Sequence, residues 1–113
     1  MAYIQASGGG KTPITIPKWT SRLTNRGGYV WNKLEFDVTK YSNLHFDNFS
    51  FPTAFYNVSL EITGTNGLSV TYTTAQTNKD IDISNETDIT LFIVYADGTG
   101  NSGDIKVENI VIS

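Results

Sequence analysis

Few residues in this chain have the type and spacing to do chemistry. Gly8-Gly9-Gly10-Lys11-Thr12 ends like a phosphate-binding loop, in which glycine amides cradle phosphates and a lysine reaches them. That loop needs a further glycine five residues before Gly10, where Gln5 stands, and a helix behind it, which Pro13 and Pro17 forbid. Asp97, Thr99, Asn101 and Glu108 fall at positions one, three, five and twelve of a calcium loop. Ser102, however, occupies position six, where the sharp turn demands glycine. No helical pattern flanks the segment, and a hairpin turn accounts for it better. Asp80, Asp82, Glu86 and Asp88 form an acidic cluster, which we read as solvated turn carboxylates. His45, the only histidine, stands between Leu44 and Phe46. A catalytic base needs a nucleophile and an orienting group beside it, and neither is legible around this residue. His45 is expected on the surface side of a strand. The chain is therefore read as non-enzymatic, with no cofactor and no metal.

Asn48, Asn57 and Asn85 each open an Asn-x-Ser/Thr glycosylation pattern. The N-terminus has neither a basic stretch nor an apolar one, so no signal peptide is read and none of the three is expected to be modified. The aromatic residues are the stronger functional candidates. Trp19, Tyr29, Trp31, Tyr41, Phe49, Phe51, Phe55 and Tyr56 crowd the first half of the chain. Most are expected to fill the core. Trp19, Tyr29 and Trp31 lie around the loop Thr24-Asn25-Arg26-Gly27-Gly28 and are expected to be partly exposed, where aromatic faces could stack on sugars or anchor a protein interface.

The elements that would carry these residues follow from composition and period. A chain of 113 residues makes one domain, large enough for a core without staples, and the absence of cysteine removes disulfides and thiolate sites. Eight Lys and Arg residues are scattered against eleven Asp and Glu, for a net charge of −3. No basic patch competes for polyphosphate, so nucleic acid is not an expected partner. No apolar run approaches the roughly 18–20 residues that span a bilayer, so no membrane is expected either.

The apolar period along the chain is two. Leu34, Phe36 and Val38 share a face, as do Leu44 and Phe46, then Phe49 and Phe51. Tyr56, Val58, Leu60 and Ile62 alternate cleanly, and Leu68, Val70 and Tyr72 follow across Gly64-Thr65-Asn66-Gly67, a hairpin signal. Ile81 and Ile83 make a short strand. Ile89, Leu91, Ile93 and Tyr95 alternate while Phe92 and Val94 fill the other face, which predicts a central strand covered on both sides. The predicted core includes Tyr56, Val58, Leu60, Ile62, Ile89, Leu91, Phe92 and Ile93, with Phe36 and Phe46. In the last strand Ile105 and Val107 are out of phase with Ile110 and Ile112, which predicts a bulge or twist near Glu108-Asn109. About eight short strands at this spacing define an all-β fold: an antiparallel β-sandwich or jelly roll over residues 12–113.

Residues 1–11 are read as an extended arm, because Ser7-Gly8-Gly9-Gly10 orders only at high entropic cost. Pro13 and Pro17 bracket Ile14 and Ile16, so this piece can pair on one edge only. Ile4, Ile14 and Ile16 are the residues expected to be buried if the arm adds a strand to a neighbour's sheet.

The segment Leu34-Glu35-Phe36-Asp37-Val38-Thr39-Lys40-Tyr41-Ser42-Asn43-Leu44-His45-Phe46 resembles the opening of jelly-roll domains of bacteriophage structural proteins and carbohydrate-binding modules. Ile81-Asp82-Ile83-Ser84 and the closing Ile105-Lys106-Val107-Glu108-Asn109-Ile110 fit the same pattern. The start, Met1 to Gly10, is similar to the glycine-rich openings of small phage virion proteins. The calcium- and sugar-binding residues of the binding modules have no matching positions here and are not carried over. The resemblance implies a virion structural subunit: a capsid decoration, head-fibre or tail accessory protein. Made in the host cytoplasm and placed in the virion, it would dock on other virion proteins and act as a homo-oligomer. The alternative is a glycan-binding module for host-surface carbohydrate, using Trp19, Tyr29 or Trp31.

Overall fold

The computed structural model describes residues 12–23, 29–52, 57–96 and 103–113. Within these, alternating apolar residues form eight strands: β1 (Ile14–Leu23), β2 (Tyr29–Asp37), β3 (Asn43–Ser50), β4 (Val58–Gly64), β5 (Ser69–Tyr72), β6 (Gln76–Asp82), β7 (Asp88–Ala96) and β8 (Gly103–Ile112). They build two four-stranded sheets, ordered β1-β8-β3-β6 and β2-β7-β4-β5. Every pairing is antiparallel. First strand pairs with last, second with seventh, third with sixth and fourth with fifth. This nesting is one long hairpin rolled up on itself, and β3·β8 and β4·β7 then close the two sheets. It is the jelly roll expected from the period-two pattern. Residues 1–11, Tyr56 and the calcium-like positions Asp97 to Ser102 lie outside the described residues.

The core between the sheets follows the alternation closely. Val58, Leu60 and Ile62 of β4 and Ile89, Leu91, Ile93 and Tyr95 of β7 point inward, against Leu44, Phe46 and Phe49 of β3 and Ile105, Val107, Ile110 and Ile112 of β8. Phe36 lies partly buried against this cluster. The open side between the edge strands β5 and β6 is closed by Tyr72, whose ring meets Phe46 edge-on at 6.0 Å. The Lys79 ammonium sits 5.9 Å from the centre of the Tyr72 ring. An inward-leaning lysine on an edge strand also discourages stray strand pairing.

The predicted change of phase in the last strand is present, and it is shared. Val107 and Ile110 both face the core, so Glu108 and Asn109 face outward in succession, with Asn109 in the left-handed region at φ 53°. The same step occurs in β3, between Phe46 and Phe49, and in β1, between Ile16 and Trp19. In β6 it falls at Asn78, which has φ 49°. The registers stay unbroken across the step: Ile16 faces Ile110 and Lys18 faces Glu108, while Phe46 faces Lys79 and Asn48 faces Thr77. No strand carries an extra residue relative to its neighbour, so this is a twist common to the whole sheet rather than a local bulge. Asparagine tolerates the left-handed conformation better than most residues, which explains its presence at two of these positions.

Two expectations for aromatic residues are corrected. Trp19, expected near the surface, is buried at 6% exposure, because the phase step after Ile16 turns it inward. Phe92, expected in the core, is half-buried on the outer face of β7. β7 is central within its sheet, but a two-layer sandwich covers each sheet on one face only.

Candidate functional site

The outer face of β2-β7-β4-β5 carries the most conspicuous surface of the described residues. In β2 the residues that pack inward are Leu34 and Phe36, so Trp31, Lys33 and Glu35 point out. In β7 Ile89, Leu91, Ile93 and Tyr95 point in, so Thr90, Phe92 and Val94 point out. In β4 Ser59, Glu61 and Thr63 do so. Register then fixes three cross-strand rows: Trp31–Val94–Ser59, Lys33–Phe92–Glu61 and Glu35–Thr90–Thr63. Trp31 lies diagonal to Phe92, and their rings stack with centroids 5.8 Å apart and planes 28° from parallel. Trp31 is 54% exposed, the one large apolar side chain so exposed among the described residues. Lys33 approaches Glu35 at 3.8 Å in solvent, a contact that contributes little. The patch is a flat aromatic and aliphatic surface with one cation and two anions around it, suited to contact rather than to chemistry.

Of the sequence-predicted site residues that are described, Ile14, Ile16 and Trp19 lie in β1 of one sheet, and Tyr29 and Trp31 lie in β2 of the other. Ile4 lies outside the described residues. Ile14 and Ile16 sit in β1 opposite Ile112 and Ile110, partly buried against the protein's own core. Tyr29 opens β2 opposite Ala96. Of Trp19 and Trp31, only Trp31 joins the exposed surface just described.

The other sheet presents a polar cluster on its outer face. His45 Nε2 lies 2.7 Å from Asp47 Oδ1, and Nδ1 lies 3.0 Å from Asp80 Oδ1, the residue opposite it on β6. Asn43 donates its amide to the same Asp80 oxygen at 3.0 Å, and Asn109 donates to Asp47 Oδ2 at 2.7 Å. Both ring nitrogens can donate only when the imidazole is charged. The His45 pKa is accordingly raised, first by its hydrogen bond to Asp47, against an opposing effect of partial burial, and then by Asp80. The Asp47 carboxyl is held low by His45 and then Asn109, and that of Asp80 by Asn43 and then His45. With both ring nitrogens taken up by carboxylates, the arrangement is a clasp across β3 and β6, not a base aimed at a nucleophile. A groove of about 270 Å³ beside it is floored by Ile16, Pro17, Ile110 and Val111.

The remaining carboxylates of the acidic stretch are spoken for one by one. Asp82 accepts from Ser84, and Asp88 from Thr65. Glu86, expected to be a solvated turn residue, is instead buried at 6% exposure. Its carboxylate accepts the backbone N–H of Asn66 at 2.8 Å and of Leu68 at 3.0 Å, pinning the β4–β5 hairpin. Gly64 leaves the room: a Cβ there would stand 2.2 Å from Glu86 Oε1. Among the described residues no group of three or more His, Asp or Glu side chains is placed to hold a metal ion. No helix among them is long and apolar enough to cross a membrane.

No family model and no curated protein matches the chain. Among solved structures it is similar to a chain in the structure of infectious bursal disease virus, Gx strain, at 16% identity and a TM-score of 0.35. The match covers 89% of this chain and 30% of that one, so this chain spans less than a third of its neighbour's length. At that identity and score the likeness carries no functional argument.

Proposed function

We propose that the protein is a non-enzymatic virion structural subunit of the bacteriophage kind, acting as a capsid decoration, head-fibre or tail accessory protein. The observation that carries this reading is the outer face of β2-β7-β4-β5. A central strand there directs Phe92 and Val94 outward beside a half-exposed Trp31, on a sandwich whose own core is already complete. Apolar side chains in that position are stabilised by a covering surface, and a subunit held in a particle has one. The N-terminal arm, residues 1–11 with Ile4, supplies a second attachment. It leads into β1, which lies at the edge of its sheet. The clasp around His45 fits the same reading, since it ties strands together and leaves no ring nitrogen for catalysis.

The test is density-gradient centrifugation of particles from the source, probed with an antibody to this protein. The protein is expected to band with intact particles, and its absence from that band would overturn the reading. The second reading, a glycan-binding module, is favoured by the stacked and exposed Trp31, whose ring face suits a sugar. Retention of a glycan on an array by the wild-type protein, lost on Trp31→Ala, would favour it instead.

A further inference from the structure

We propose that the outer face of β2-β7-β4-β5 is a homotypic contact, in which a second copy of this chain lays the same face against it about a two-fold axis parallel to β7. This rests on the reading of the protein as an assembly subunit, and it names the partner. The occupant is argued from the pattern of the rows. Lys33 and Glu61 flank Phe92 on opposite sides in one row, each paired with it in register. Neighbouring strands lie about 4.8 Å apart, so a cation and an anion stand at roughly equal distances either side of β7.

A two-fold axis in the contact plane and parallel to β7 exchanges left and right. It sets Lys33 against Glu61 of the partner subunit, twice per dimer, because such a contact is isologous. An axis perpendicular to β7 would oppose Lys33 to the partner's Lys33. Charge therefore selects one of the two orientations. Size selects the same one. In the row Trp31–Val94–Ser59, the exchange places the projecting indole over the partner's Ser59, where there is room for it. Phe92 meets the partner's Phe92 on the axis, an aromatic anchor at the centre with a charged rim, the usual anatomy of such a contact. Two sheets of this kind pack with strands within about 30° of each other, which keeps the central rows in register.

The contact is modest. A face four strands wide and some seven residues long covers roughly 400–500 Å², below the about 800 Å² per partner of a standard interface. The isolated protein is accordingly expected to dimerise weakly, in the micromolar range, and repetition on a particle to strengthen the contact.

The experiment is sedimentation equilibrium of the purified chain over about 1–500 µM, with Lys33→Glu, Glu61→Lys and the double exchange, and a melting curve for each to show that it folds. Each single exchange is expected to weaken the dimer by about tenfold or more, since like charges then meet twice. The double exchange restores opposite charges and is expected to recover the wild-type constant, while Trp31→Ala, on an exposed ring, weakens it independently. A wild-type monomer throughout, or a dimer that survives both single exchanges, would overturn the contact. So would a double exchange that does no better than the singles. A chain that bands with particles yet never dimerises overturns this inference and spares the subunit reading. A rescued dimer absent from particles upholds the contact and overturns the subunit reading.

Discussion

Asn109 donates its side-chain amide to Asp47 Oδ2 at 2.7 Å, across the boundary between β8 and β3, at the line where the whole sheet changes phase. One register position away Asn48 donates to Glu108 Oε1 at 3.1 Å. The twist therefore turns successive polar residues outward on adjacent strands, and they bond to each other across it. Because Asn109 has φ 53°, its backbone and its side chain are tested by different substitutions. Asn109→Gly keeps the conformation and loses the hydrogen bond. Asn109→Val adds a β-branched strain of about 1–2 kcal/mol to that loss. Urea unfolding is expected to rank wild type, glycine and valine in that order. Equal stability of the two variants would contradict a left-handed Asn109.

Leu91 stands in the centre of β7 with no exposure, among inward residues of both sheets. Leu91→Ala is expected to destabilise by about 2–5 kcal/mol, the transfer and cavity terms together. Chemical denaturation measures it, and a loss under about 1 kcal/mol would contradict the placement of β7.

Glu86 and Gly64 form a second coupled pair. Glu86→Ala leaves the N–H groups of Asn66 and Leu68 without their carboxylate, at an expected cost of about 1–3 kcal/mol. Gly64→Ala drives a methyl group into the same carboxylate and is expected to destabilise as well. Once Glu86 is alanine the clash is gone, so the double variant is expected to be markedly less destabilised than the sum of the singles. Simple additivity in thermal melts would contradict the contact.

The His45 clasp gives a pH dependence whose sign is fixed. The ring's pKa is raised in the folded protein above its ordinary 6.5. Its contribution to stability is complete below that value and is lost as pH rises through the higher folded value. Asp47 and Asp80 are held below their ordinary 3.8, so their contributions are present above it and are lost as pH falls through the lower folded values. The clasp thus contributes most between the carboxylate and imidazole ranges. The difference in Tm between wild type and His45→Gln is expected to shrink from pH 6 towards pH 9. A difference constant over that span would show that the charged ring is not what holds Asp47 and Asp80.

How much of this was legible in the sequence depends on whether a signal was local. The alternation of Ile89, Leu91, Ile93 and Tyr95 and the Asn66-Gly67 turn report backbone geometry within a few residues, and both strand and hairpin were read from them. The clash of phase between Ile105-Val107 and Ile110-Ile112 points to a bulge or twist near Glu108-Asn109, and strand pairing decides for the twist. The same clash is legible between Phe46 and Phe49. In β1 the inner residues of the step are Ile16 and Trp19, and without the neighbouring strands nothing says that Trp19 turns inward. The partnership of His45 with Asp80, and of Glu86 with Asn66 and Leu68, depends on strand pairing and loop approach, which no local period encodes. Phe92 is the instructive case. An apolar residue on the second face of a central strand signals burial, and a sequence reads the same whether the cover comes from its own fold or from another chain.

Cover from another chain can be measured directly at Trp31. Trp31, stacked beside Phe92, is the reporter, because it is 54% exposed in the isolated chain while Trp19 is buried and serves as an internal control. The measurement is oxidative footprinting of the tryptophans, read by mass spectrometry, on the dilute free protein and on particles isolated from the source. In the free protein Trp31 is expected to be modified readily and Trp19 hardly at all. In particles Trp31 is expected to become as protected as Trp19. A Trp31 equally reactive in both would contradict the claim that this face is covered in the assembly.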